Sequence, residues 1–186
     1  MSDVENRFIE FEGTEVREAD DGRRHIIGIV VPWHGRYEMR PNTFERFARG
    51  AFDKAIAEHG TEIPLFPQHN TATELPVGRA VKWENTNDGL IADFRMHDTA
   101  SAAEIVKLAE GRDVTGLSVG FIPVRNRTEQ EGENTVITRL EARLDHVGFV
   151  HRPAYADARV MAVRNYDPDD PEVAPKLARW RGIWLA

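Results

Sequence analysis

The chain has 186 residues, 24 Lys+Arg against 31 Asp+Glu, 41% hydrophobic content, and no Cys. That length suits one domain with a sizeable core and a short appendage; the lack of cysteine excludes disulfides, thiol nucleophiles, thiolate zinc sites and iron–sulfur clusters. A formal charge of −7 argues against a dominant nucleic-acid footprint, and the longest apolar stretch, Ile26 to Trp33, falls far short of the ~20 residues of a membrane span. The acidic, polar start MSDVENRF does not read as a secretory signal.

Residues 1–23 form an N-terminal segment ahead of a domain over 24–164. Period-2 patterning predicts a strand over Arg24–Trp33. Thr43–Glu58 reads as a helix, with Phe44, Phe47, Ala48, Ala51, Ala55 and Ile56 near one stripe and Gly50 in its middle. A short apolar run bounded by prolines, PLFP, is strand-like. Val77–Glu84 and Gly89–Met96 read as a hairpin, with Asp88-Gly89 supplying positive φ at the turn. Ala100–Ala109 is a second helix, capped by Asp98 or Thr99 and stopped at Gly111. Val114–Arg125 is a strand, and Thr135–Val150 is one long kinked strand or two in succession. Ala158–Val163 ends the domain. Such a set predicts an α+β, mainly β fold: a closed or nearly closed antiparallel β-barrel with helices packed outside. Residues 165–186 change character. NYDPDDPEVAP is a Pro/acid-rich linker, and KLARWRGIWLA sets Leu177, Trp180 and Trp184 on one helical face. That tail reads either as a helix folded back on the domain or as a peptide that docks on a partner.

With cysteine absent, a nucleophile must be a hydroxyl, an amine, a carboxylate or a metal-bound water. Three residues stand in constraining contexts. His69, in PLFPQHN, follows an apolar strand-like run, so a rigid element would hold it while it stays open to solvent, as suits a proton carrier. In TGLSVGF, Leu117, Val119 and Phe121 point to one face and Gly116, Ser118 and Gly120 to the other. The second face is a glycine-flanked trough around a hydroxyl, which fits either close substrate approach or close backbone packing. His146 repeats the pattern, His-Val-Gly-Phe for Ser-Val-Gly-Phe. If the two strands are neighbours, the imidazole and the hydroxyl share a face. Asp145 and Glu141 are nearby acids, but on a regular strand they point away from His146.

Four blocks in order carry a resemblance: RGAFDKAI, LFPQHNTATELPVGRAV with downstream NDGLIADF, VTGLSVGFIPV, and LDHVGFVHRPAYADARV. From about Ile26 to Val163 the sequence resembles the tailed-phage prohead maturation proteases, which are related in fold to herpesvirus assemblin. The resemblance implies a β-barrel serine endopeptidase with Ser118 as nucleophile and His69 as the histidine of the catalytic pair. At the third position many relatives carry an acid where this chain has His146, a substitution similar to the Ser-His-His triad of assemblin. It further implies that the partners are the phage major capsid protein and scaffold region as substrates, cut inside the assembling prohead in the bacterial cytoplasm. Assemblin-type relatives are dimeric when active, so a homodimer is a further implication; no cofactor, nucleic acid or membrane is expected.

Two other readings compete. A metal hydrolase is poorly served, since His146 and His151 are five apart and would fall on opposite faces if they occupied one strand. A non-catalytic assembly protein on the same fold would use the Trp-bearing tail to bind capsid or scaffold.

Overall fold

The computed structural model describes residues 23–165. Nearly all of the N-terminal segment, the Pro/acid-rich linker and the Trp-bearing tail lie outside the described residues. Within them the chain is mainly β. In order come β1 (Arg24–Pro32), β2 (Tyr37–Arg40), β3 (Thr43–Phe47), α1 (Asp53–His59), β4 (Pro64–Pro67), β5 (Gly78–Asn85), β6 (Gly89–Met96), α2 (Ala100–Glu110), β7 (Gly116–Glu131), β8 (Asn134–Val150) and β9 (Val160–Asn165). The strands form one sheet ordered β2-β3-β8-β4-β5-β6-β1-β9, with β7 paired to β8 off that path.

Several expectations hold. β5 and β6 are an antiparallel hairpin. The Thr99 side chain caps α2 by accepting from the Ala102 N–H, and Gly111 follows the helix. Ala102, Ile105, Val106 and Ala109 form its buried stripe, the spacing an amphipathic helix requires. The long segment before Val150 is one strand with irregularities rather than two.

Others are corrected. The helix expected over Thr43–Glu58 begins only at Asp53, because Thr43–Phe47 is β3, laid parallel to β8 from Thr135 to Arg139. Its buried residues are Thr43, Glu45 and Phe47, a period of two, and Gly50 at φ +83° turns the chain between strand and helix. The β5–β6 turn uses no positive φ at Asp88 or Gly89. Instead the Thr86 hydroxyl donates to the Gly89 carbonyl at 2.7 Å and accepts from the Gly89 N–H at 3.1 Å. The sheet is not purely antiparallel either, since both β3 and β4 run parallel to β8. Its ladder order is open, with β2 and β9 at the ends. Gly116 and Arg159 form an isolated bridge, flanked by hydrogen bonds from Leu117 N–H to Ala158 O and from Val160 N–H to Thr115 O.

The core holds Phe47, Phe52, Phe94, Phe149, Leu65 and Leu117, all 2% exposed or less. Burial on this scale is the main favourable term in folding. Two buried polar contacts are satisfied within it. Arg139 donates to Glu45 at 2.6 and 2.8 Å, joining β8 to β3. On the opposite side of the sheet order, His25 of β1 lies 2.7 Å from Asp93 of β6.

Candidate active site

The site is built on β8, which takes β7 along one edge and β4 along the other. Ser118 faces Gly148 across the β7–β8 ladder, and Gly120 faces His146. Directly opposed residues share a face, so Ser118, Gly120, His146 and Gly148 line one side while Val119 and Val147 pack on the other. The neighbouring-strand condition on which the shared face depended is thus met.

His69 arrives from the third strand. β4 pairs with β8 from Leu65–Val147 to Pro67–Phe149. Gln68 then takes a left-handed conformation, φ +57°, while its N–H donates to the Phe149 carbonyl at 2.9 Å. A non-glycine residue in that region is uncommon and costs energy. Its effect is to fold the chain back over β8, so that His69 lies above Gly148. A Cβ on Gly148 would sit 3.0 Å from His69 Cε1 and would collide with the Gln68 carbonyl. Glycine is required there by close approach.

The two imidazoles meet directly. His69 Nδ1 and His146 Nε2 are 2.8 Å apart, the rings tilted at 69°. His146 is 9% exposed, and the Phe66 ring stands edge-on to it at 5.8 Å. A Cβ on Gly120 would fall on the His146 ring, so the ring occupies the space a side chain at 120 would fill. His69 is more open, but burial of its inner side pushes its pKa below 6.5, and the charge of His146 pushes it the same way. No hydrogen bond joins Ser118 Oγ to His69 among the described residues; catalytic hydrogen bonds are often longer in the free enzyme than in the Michaelis complex. The structure therefore pairs His69 with His146 and sets Ser118 opposite the glycine that His69 covers.

This chain matches the model of the caudovirus prohead serine proteases over residues 12–169. It belongs to the caudovirus prohead serine protease family. No curated protein matches it. Membership makes the chain a serine protease of phage capsid maturation, with a place inside the assembling prohead. No helix among the described residues is long and apolar enough to cross a membrane.

Two features of this prohead protease escape a reading of the sequence. Asp145 does not point away from His146: its Oδ2 lies 3.0 Å from His146 Nδ1. The register explains it. Gly120 pairs with His146 but Phe121 pairs with Leu144, leaving Asp145 as the extra residue of a bulge, and a bulge re-aims the side chain it carries. Glu141, by contrast, makes loose surface ion pairs to Lys54 and Arg125 at 3.9 and 3.8 Å. The second feature is a cavity of about 200 Å³ reached by Ser118, walled by Val30, Phe47, Leu117, Phe121 and Tyr155. Glu45 also lines it, held by Arg139 and accepting from the Tyr155 hydroxyl at 3.3 Å. Burial, together with the charge and acceptor of Glu45, raises the Tyr155 pKa well above its usual value, so Tyr155 stays a neutral donor there.

Of the five remaining histidines, His34 and His151 are exposed and the other three have neighbours of their own. His25 sits against Asp93, His97 Nδ1 lies 3.0 Å from the Pro76 carbonyl, and His59 is an exposed neighbour of Glu62. Among the described residues no three His, Asp or Glu side chains converge as metal ligands.

Proposed function

We propose that this prohead protease is a Ser-His-His endopeptidase that cleaves phage scaffold and the N-terminal segments of the capsid protein. Ser118 is the nucleophile, His69 the general base and acid, and His146 the group that orients His69. The observation that carries this reading is the 2.8 Å contact between His69 and His146 on the face that Ser118 shares. The bridge between Gly116 and Arg159 supports a nearly closed, assemblin-like barrel as the frame.

Serine needs a base to take its proton in the transition state. Ser118 Oγ attacks the peptide carbonyl carbon while His69 Nε2 accepts the hydroxyl proton. The tetrahedral intermediate collapses, the C–N bond breaks, and His69 returns that proton to the leaving amine. Water then repeats the sequence on the acyl-serine. His146 Nε2 accepts from His69 Nδ1–H, which holds the His69 ring in place. A neutral imidazole stabilises the developing imidazolium less than a carboxylate would, which favours slow turnover. Slow turnover suits a protease confined at high local concentration with its substrate.

Co-expression with the cognate capsid protein tests the assignment, with intact mass as readout. The wild type shortens the capsid protein, Ser118→Ala leaves it whole, and His146→Ala slows cutting by about 10²-fold or more. Intact capsid protein in wild-type proheads would sink the proposal and favour a non-catalytic assembly role. Sizing the same preparation reads the homodimer that assemblin-type relatives form.

A further inference from the structure

The geometry points to Asp145 as a positioning residue that selects the tautomers of both histidines; the inference rests on the Ser118–His69–His146 reading. A neutral imidazole carries one N–H and one lone pair, so two imidazoles joined nitrogen to nitrogen can be arranged in two ways. In one, His69 Nδ1–H donates to His146 Nε2. His69 Nε2 then bears the lone pair and can accept the Ser118 proton. In the other, His146 Nε2–H donates to His69 Nδ1. His69 Nε2 then bears a proton and cannot act as a base. The 2.8 Å contact alone is equally satisfied by both.

Asp145 breaks that symmetry. An ionised carboxylate only accepts, so its Oδ2, 3.0 Å from His146 Nδ1, requires a proton on that nitrogen. In neutral His146 the lone pair is then on Nε2, His69 must donate to it from Nδ1, and the free lone pair of the chain emerges at His69 Nε2. One carboxylate at the outer end thus sets the base at the inner end. The bulge makes this possible, because a regular strand would carry residue 145 to the other face. Asp145 is 61% exposed at its side chain, so water and salt weaken its pull. Its effect is on tautomer populations rather than on stability.

The test reads tautomers directly. Long-range ¹H–¹⁵N spectra of histidine-labelled protein at pH 8, in a Ser118→Ala background, are expected to show Nδ1 protonated and Nε2 bare on both His69 and His146. Introducing Asp145→Ala shifts both rings toward Nε2–H, the form free histidine prefers. Asp145→Asn, whose amide oxygen can accept the same hydrogen bond, shifts them less. In the active protein, Asp145→Ala lowers kcat roughly tenfold with KM unchanged, and Asp145→Asn recovers part of the loss. Unchanged tautomers, or an unchanged kcat, would overturn the assignment. Failure of the underlying reading looks different: Ser118→Ala would still cut capsid protein, whatever the tautomers show.

Discussion

Glycines decide where the reactive groups lie, and Gly120 makes the sharper case. A methyl at position 120 would occupy the space of the His146 ring, so Gly120→Ala forces that ring out of its rotamer and away from His69. The displaced group is a side chain, not backbone, so the sheet persists. Cleavage is expected to fall by at least about 10² while far-UV circular dichroism stays unchanged; a variant that cuts at the wild-type rate would mean the His146 position is dispensable. His69 gives a second expectation at this scale. Its pKa lies below 6.5, through burial first and the charge of His146 second, so its neutral, basic form persists into mild acid. The acid limb of kcat/KM, which reports the free enzyme, should have its midpoint below 6.5 in initial-rate measurements. A midpoint above 6.5 would contradict the assignment. The same depression has a stability consequence. The unfolded chain takes up this proton first, so the contribution is intact above 6.5 and is lost as pH falls through the window below it.

At the level of elements, the site was more legible than the frame around it. The matched Ser-Val-Gly-Phe and His-Val-Gly-Phe runs put Ser118 and His146 on one face, as the ladder does, because period 2 is a local property and β7 and β8 are sequence neighbours. Asp145 was hidden by the same rule: a bulge interrupts the period, and nothing in LDHVGF marks one. β3 failed for a different reason. Phe44 and Phe47 fit a helical stripe, whereas Glu45, only 6% exposed, points inward beside Thr43 and Phe47. A buried carboxylate looks like a surface residue until its partner is known, and that partner, Arg139, lies 94 residues away. The parallel pairing of β3 and β4 with β8 is likewise long-range and carries no local signature. The turn at Thr86 was misassigned because a threonine hydroxyl did the work expected of a left-handed Asp-Gly pair.

For the whole molecule, β8 is the common support of the site, and this has a measurable consequence. It carries His146 itself, holds Ser118 through β7, and holds His69 through β4. The histidine contact joins residues 77 apart in sequence, and β3 adds a further ladder to the same strand. Among the described residues, each of the three side chains is carried by β8 or held through a strand laddered to it. A single sheet of this size is expected to unfold as one cooperative unit, and its many non-local pairings place refolding in the slow range of milliseconds to seconds. Capsid-protein cleavage and far-UV circular dichroism, followed through a urea titration of the full chain, should therefore share one midpoint. If activity disappeared at clearly lower urea than the circular dichroism signal, the Gln68–His69 turn would be opening on its own. The site would then rest on the strained residue that leads out of β4, and not on the β8 scaffold.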